Sequence, residues 1–386
     1  MMGPLRQQSR LRASRARSRN GHLSAAGEAQ AYALGDLTPA DLEGWHELAQ
    51  GAVEPNPFFE PEFVLPAVKG LGTRGVELLV VREGSDWIGA MPVRRVGSWR
   101  RIPLSGAVAW KSSYTYLGSP LLRRDSADAA ARALLESAVR GRRYLGLELL
   151  QGGGPAAAAI ERAAEELGLA TTVLRSYERA SLNRRDDPTG YVALKPKHRR
   201  ELRRLRDRLG EEVGAEVEVF CDDSGSAAAI EEFLGLEASG WKRQSRTALA
   251  TRGHGEMFTR ICQNFAAEGR LQLLTMRAAQ HRIAAKCNLI AGEGVFCFKI
   301  GFDENWARFS PGRQLEAANI DIFHANPQLA WMDSCAEPTN QMINRLWPDR
   351  RTIEVKAVTG GGTGRAAERV FRAAVQTRDL IKKGSQ

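Results

Sequence analysis

The chain has 386 residues, of which 43% are apolar and 26% charged, as in soluble globular proteins of two or three domains. It contains no uninterrupted apolar run of about 20 residues, so we expect no membrane insertion. Its five cysteines include no C-x-x-C pair, which argues against a disulfide scaffold or a structural zinc site and favours a cytoplasmic location.

The net charge of +10 is concentrated in two short segments. The first 27 residues contribute +6 and residues 195–208 another +6, which leaves −2 for the rest of the chain. A dedicated nucleic-acid binder carries a broader basic face, so we predict no DNA partner. Residues 1–30 are rich in Arg, Ser and Gly and have little to bury, which predicts a disordered basic tail.

The first recognisable elements form a hairpin over 75–93, two runs of β-forming residues around a tight turn. A strand is then predicted over 114–122, followed by the helix Ala127–Val139. A buried strand over 144–150, a short helix and a strand over 170–174 complete this part of the chain.

The same order of elements returns later in the chain. A hairpin is predicted over 270–290, a strand ending at residues 310–311, a helix over 315–323, a strand over 329–335, a short helix and a strand over 352–358. The order β-β-β-α-β-α-β therefore occurs twice, which predicts an α/β protein with a mixed sheet in each half.

We place the boundary between the halves near residue 185, inside the polar run 182–190. This divides the chain into a first domain, 31–185, and a second domain, 186–386. The second domain opens with a basic helix over 195–209, and the chain closes with an amphipathic helix over 365–381.

Four segments, 194–210, 233–249, 270–289 and 298–315, together resemble the GNAT acyltransferases. The tandem arrangement resembles the FemABX aminoacyltransferases and, more closely, the CelD-like GNAT proteins associated with cellulose and exopolysaccharide clusters. The resemblance covers roughly residues 50–370 and implies two tandem GNAT-like domains.

The resemblance implies an acyltransferase that uses acetyl-CoA as co-substrate. The acceptor would be a small molecule with an amine or hydroxyl group, such as a sugar or a polysaccharide precursor, and it would attack the thioester directly. Two alternatives remain open. The chain is either a FemABX-like transferase that takes its acyl group from aminoacyl-tRNA, or a non-catalytic partner of a polysaccharide synthesis complex.

The predicted donor site is the segment 308–314, between a strand and a helix. A helix start presents free N–H groups that suit a pyrophosphate, Gly312 permits close approach, and Arg308 and Arg313 supply positive charge. The GNAT motif Gln/Arg-x-x-Gly-x-Gly/Ala is altered here to Arg-x-x-x-Gly, with Gln314 in place of the second small residue. An ordinary Ser-Pro-Gly turn at Ser310 is the alternative. The resemblance adds two cofactor residues on the preceding strand, Phe298 and Ile300.

The matching loop of the first half, 119–124, contains no glycine. We therefore expect only the second half to bind the donor. The first half would be a degenerate copy that shapes the acceptor cleft.

Glu237 shares the apolar stripe of its predicted helix, and poor solvation there would raise its pKa toward that of a general base. A helix-edge glutamate paired with an arginine is the equally weighted alternative. The resemblance adds Trp241 and Lys242 as substrate contacts.

Asp333 lies near the end of a buried strand beside the predicted cofactor strand and is a candidate catalytic residue, with Ser334 and Cys335 as neighbouring contacts. The following helix, 338–346, has no tyrosine to act as general acid, and Asn340 is a candidate substrate contact. The six histidines show no metal-ligand spacing, so no metal site is predicted.

The basic segment 195–208 permits an RNA interaction. However, Leu202, Leu205 and Leu209 form an apolar face that leaves the charges on the solvent side, and no aromatic residues are interleaved for base stacking. A solvated helix face beside an anionic cofactor is therefore favoured over tRNA binding.

Overall fold

A computed structural model describes residues 27–140, 143–239 and 248–384. These residues form one continuous sheet of 13 strands. Most neighbouring strands are antiparallel, but β4 (Gly106–Ala109) is parallel to β6 (Tyr144–Gln151), and β11 (Gly294–Phe302) to β12 (Trp331–Asp333). The predicted α/β class with a mixed sheet is therefore confirmed. Most of the predicted tail, residues 1–26, lies outside the described residues.

The first half confirms the predicted hairpin over 75–93 and the helix Ala127–Val139. Its remaining strands are β1 Gln30–Ala33, β2 Val76–Glu83, β3 Asp86–Val96, β5 Leu121–Leu122 and β7 Ala170–Asn183. Its helices are α1 Pro39–Gln50, α2 Pro61–Gly70, α3 Ala127–Val139 and α4 Pro155–Glu166.

The second half confirms the hairpin over 270–290 and the basic helix over 195–209. Its remaining strands are β8 Val217–Asp222, β9 Leu271–Ala278, β10 His281–Ala291 and β13 Asp349–Thr359. Its helices are α5 Pro196–Val213, α6 Ala227–Glu237, α7 Gly255–Ala267, α8 Pro311–Ala325, α9 Gln341–Leu346 and α10 Gly361–Gly384.

Two predicted strands are wrong in extent. The strand expected to end at residues 310–311 ends at Phe302, and the 3-10 helix Glu304–Phe309 follows it. Of the strand expected over 114–122, only Leu121–Leu122 forms. Regular structure stops at Ala109 and returns only at β5, because the segment 110–120 fills the space beside β6 instead of pairing along its length. Gly118 N donates to the carbonyl of Leu149 (3.0 Å), and Ser119 Oγ accepts from Gln151 N (3.3 Å). The apolar residues of this segment are buried as loop residues, which imitates the pattern of a strand.

The two halves exchange their last strands. The strand order is β1-β2-β3-β4-β6-β13-β7-β12-β11-β10-β9-β8, so β13 of the second half lies between β6 and β7 of the first. In turn, β7 continues to Asn183 and pairs with β12. The polar run 182–190 begins where this exchanged strand ends. The two halves therefore share the centre of one sheet, while its outer strands on each side belong to one half.

Both faces of the sheet are covered, because alternate residues of the central strands enter different cores. On β11, Phe296 and Phe298 join a large core built from both halves, whereas Val295 and Cys297 join a smaller core with α8. Within the described residues, no helix combines the length and the apolar character needed to cross a lipid bilayer.

Candidate functional site

The parallel strands β11 and β12 pair over only three residues. Gly294 pairs with Trp331, Val295 with Met332, and Phe296 with Asp333, which is the last residue of β12. We call the unpaired side of β11 beyond Phe296 the wedge. Beyond that point β12 ends, while β11 continues to Phe302. Beyond Phe296 this side of β11 therefore has no strand partner, and the chain continues through the bend to the start of α8.

A β-bulge on β11 lies directly at this wedge. The pairing with β10 jumps from Cys287–Lys299 to Asn288–Cys297, which leaves Phe298 as the extra residue. A bulge changes the direction of the side chains that follow it. Phe298 packs into the aromatic core, and Ile300 lies on the opposite face near Phe309. The two predicted cofactor-strand residues therefore border the wedge from different faces.

The predicted donor site is a tight bend before α8. A short 3-10 helix, Glu304–Phe309, ends at Ser310, which adopts a left-handed conformation (φ 54°, ψ 52°). Its carbonyl accepts from Arg313 N (3.0 Å) and Gln314 N (3.2 Å), so α8 starts abruptly at the bend. Gly312 is buried, and a Cβ atom there would lie 3.3 Å from the sulfur of Met342. Helix α9 therefore covers the first turn of α8.

The two arginines of the bend are held by α5. Arg308 forms an ion pair with Glu212, and Arg313 Nη1 lies 3.0 Å from Glu201 Oε1. The pKa of Glu201 is lowered mainly by this hydrogen bond and ion pair. Both pairs are partly exposed, so each contributes little to stability and can be exchanged for an anionic ligand.

Gln314 is fully buried and joins the bend to α5. It accepts from Arg206 Nε (3.1 Å) and donates to the carbonyl of Phe309 (3.0 Å). Arg206 also lines a groove of about 480 Å³ between α5, α8 and β8, together with Arg199 and Arg203. The basic helix thus brings three arginines of one face to a groove beside the bend.

Glu237 is the last residue of α6 and is only 2% exposed. Its Oε2 accepts from the backbone N–H of Leu249 (2.8 Å). Its backbone packs on Gly301 of β11, where a Cβ atom would come within 2.8 Å of the Glu237 Cα. The predicted base therefore lies beside the wedge. Trp241 and Lys242 lie outside the described residues.

Asp333 is completely buried at the end of β12. It accepts from Arg179 of β7 (2.5 Å) and from Arg351 of β13 (2.8 Å). Burial opposes its ionisation, but the two arginines outweigh burial and hold the pKa of Asp333 below its usual value. Asp333 is thus an ionised junction between the exchanged strands. After it, Cys335 is 8% exposed, and burial raises the pKa of its thiol.

Asn340 is exposed at the start of α9. Its side chain accepts from Ile343 N (3.3 Å) and caps the helix. Since Met342 of this helix covers Gly312, Asn340 stands on the element that lies over the donor bend.

A lysine and two tyrosines meet where the halves face each other, and sequence reasoning missed this cluster. Lys299 Nζ donates to Tyr116 Oη (2.9 Å) and lies 4.5 Å from the centre of the Tyr114 ring. Tyr114 Oη is 2.8 Å from Nδ1 of His254. Burial lowers the pKa of Lys299 to about 8, although the charge of Glu237 opposes this shift. The available signal was a lysine inside an apolar strand.

One group of potential metal ligands is present among the described residues: His46, Glu62 and Glu268. Arg270 forms ion pairs with both glutamates, so a guanidinium already supplies positive charge there. Spacing along the chain gave no sign of this group because its members come from both halves.

One part of the chain matches a known protein family. Residues 196–334 match the family described as "Acetyltransferase (GNAT) domain". This segment includes the wedge, the bulge and the bend. The protein therefore has a GNAT-type acyltransferase fold, with a GNAT domain in its second half. No curated protein matches the chain.

Solved structures with the same fold cover nearly the whole chain. The crystal structure of FemX superposes with a TM-score of 0.58 at 8% identity, covering 88% of this chain and 99% of FemX. A conserved protein of unknown function from Bacteroides thetaiotaomicron gives 0.54 at 15% identity, covering 84% and 98%. The C-terminal domain of a putative lysylphosphatidylglycerol synthetase from Agrobacterium fabrum gives 0.53 at 11% identity, covering 85% and 95%.

Proposed function

We propose that the protein transfers an acetyl group from acetyl-CoA to an amine or hydroxyl group of a polar acceptor. The observation that carries this proposal is the wedge, the unpaired side of β11, from which the chain runs to the bend before α8 within the segment matched to the acetyltransferase family. An extended thioester would lie along this side of the strand, with its phosphates at a helix start.

The donor would lie along Phe298 and Ile300 and reach the bend at Ser310. The N-terminal dipole of α8 would attract the pyrophosphate, while Arg308 and Arg313 would exchange their glutamate partners for phosphate. Gly312 and Gln314 belong to the same first turn. Because the Met342 side chain lies over Gly312, donor binding would require this side chain to move aside.

The acceptor would enter from the side of the first half, a small molecule or a saccharide that attacks the thioester directly. Trp241, Lys242 and Asn340 remain proposed contacts for it. Glu237 lies close to the wedge and stays a candidate base, whereas the two arginines on Asp333 favour a positioning role for that carboxylate.

Calorimetry with acetyl-CoA tests the donor site. The wild type should bind, and Gly312→Asp should not, because a carboxylate at the bend repels phosphate. Gly235→Asp is the matched control, since Gly235 is exposed on α6 with open space around it. Circular dichroism verifies that both variants fold. Absence of binding by the wild type, or equal binding by Gly312→Asp, would contradict the proposal.

A second candidate donor is aminoacyl-tRNA. The groove beside the bend supports this donor, because Arg199, Arg203 and Arg206 line it together with Phe220. Phe220 is 46% exposed. The fold shared with FemX agrees with the resemblance to the FemABX family. Transfer that is abolished by ribonuclease, in a protein that does not bind acetyl-CoA, would select this donor.

A further inference from the structure

We propose that Lys299 accepts the proton of the acceptor nucleophile, and that Tyr116 from the first half positions it. This inference rests on the proposed acetyl-CoA-dependent function and assigns the proton transfer of that same site. The active site would then contain side chains from both halves.

The position of Lys299 supports the role. It directly follows the bulge residue Phe298 and lies past the last residue of β11 that pairs with β12. Lys299 therefore belongs to the stretch of β11 that has no partner on the side of β12. The hydrogen bond to Tyr116 Oη (2.9 Å) and the ring of Tyr114 hold the amine in one place.

The charged and titratable groups around Lys299 do little to stabilise the positive charge of its amine. Within the described residues it forms no ion pair with a carboxylate. The groups that act on it come from the loop 110–120, α6, the segment before α7, β10 and the end of β12: Tyr114, Tyr116, Glu237, Arg252, Cys287 and Cys335. Burial and Arg252 lower the pKa of Lys299, and Glu237 raises it. The net result is a pKa of about 8.

Lys286, on the neighbouring strand β10, is a buried lysine with a structural role and can be compared with Lys299. It is 3% exposed and forms an ion pair with Glu316 (2.5 Å). Although burial opposes its charge, Glu316 and nearby Cys297 raise the pKa of Lys286 above its usual value. Lys286 thus remains an ammonium ion, whereas Lys299 is partly neutral near physiological pH and can accept a proton.

In the proposed reaction, Lys299 first accepts a proton and then returns it. The nitrogen or oxygen of the acceptor attacks the thioester carbon, and its proton passes to the neutral amine of Lys299. The bond between carbon and sulfur then breaks, and the thiolate of CoA takes a proton from the Lys299 ammonium. The products are the acetylated acceptor and free CoA, and the lysine returns to its neutral form.

The proposal can be tested without an acceptor by measuring how fast Lys299 itself becomes acetylated. A neutral amine beside a bound thioester should be acetylated slowly by acetyl-CoA, and peptide mass spectrometry can follow this from pH 6 to pH 10. A lysine of pKa about 8 is half neutral at pH 8, which is on the order of 100-fold more than an ordinary lysine. We expect Lys299 to react far faster than exposed Lys69, with a midpoint near pH 8. Excess CoA should suppress labelling at Lys299 only.

Two variants complete the experiment. Tyr116→Phe should slow acetylation of Lys299 at every pH while acetyl-CoA affinity, measured by calorimetry, stays unchanged. Lys286→Met is the matched control and should leave labelling of Lys299 as in the wild type. If acetyl-CoA binds but Lys299 reacts no faster than Lys69, the inference is wrong and the proposed donor stands. If acetyl-CoA does not bind, the proposed function itself fails.

Discussion

In each half of the molecule, two parallel strands pair over only two or three residues, and the structure beyond the pairing differs between the halves. In the first half, β4 pairs with β6 only through Ala107–Leu145 and Val108–Gly146. The gap that follows is filled by the protein's own segment 110–120. In the second half, β11 continues beyond Phe296 without a strand partner on the side of β12, and the chain then reaches the bend before α8.

The segment that fills the gap in the first half also contacts the second half. The filling segment carries Tyr114 and Tyr116, and Tyr116 reaches Lys299 of the second half. Arg179 of β7 connects the two regions further, because it donates both to the carbonyl of Tyr116 and to Asp333. The first half therefore contributes Tyr114 and Tyr116 to the side chains around Lys299.

The largest effect should come from breaking the junction between the two regions. Asp333→Ala leaves Arg179 and Arg351 buried without their carboxylate, so we expect a loss of about 3–5 kcal/mol in the free energy of unfolding. Asp321→Ala removes an exposed partner of Arg199 and should cost less than about 1 kcal/mol. Urea denaturation measures both, and equal losses would contradict the role given to Asp333.

The filling of the first gap can be disturbed directly. A Cβ atom at Gly118 would lie 2.0 Å from the carbonyl oxygen of Glu148, so Gly118→Ala must displace the segment. We expect a loss of about 3 kcal/mol. Acetylation of Lys299 by acetyl-CoA should also slow, because Tyr116 shifts with its segment. Gly97→Ala, with open space around it, is the control and should change neither.

The pH dependence of stability distinguishes the two buried lysines. Because the pKa of Lys299 is lowered to about 8 in the folded state, the unfolded chain binds more protons between pH 8 and about pH 10.4. Lys299 should therefore make the protein more stable as the pH rises through that range. Lys299→Met should flatten this rise when unfolding is measured at several pH values. Lys286→Met should leave the rise in place, and a rise that persists in Lys299→Met would refute the assignment.

The smallest effect is expected at the bend itself. Arg313→Gln removes a partly exposed pair with Glu201 and should change the free energy of unfolding by less than about 1 kcal/mol. Affinity for acetyl-CoA should nevertheless fall several-fold, as expected for one lost charge-assisted contact to phosphate. Calorimetry beside thermal denaturation separates the two quantities, and unchanged affinity would remove Arg313 from the donor site.

Local patterns in the sequence predicted much of this fold. The hairpins and the helix Ala127–Val139 follow from periodicity and turn residues, which act over a few positions. The strand expected over 114–122 failed because burial in a gap imitates the pattern of a strand. The bend at Ser310 was visible as a Ser-Pro-Gly segment. The contact between Lys299 and Tyr116 was not visible, because it joins residues 183 positions apart in different halves.

The position of β13 has a consequence for how the chain folds during synthesis. On the ribosome, the nascent first half would present β6 and β7 without the strand that belongs between them, since β13 follows all the other described strands in the chain. Both edges would stay open to wrong pairing until β13 emerges. Shortening the chain before residue 349 would therefore damage the half that was made first.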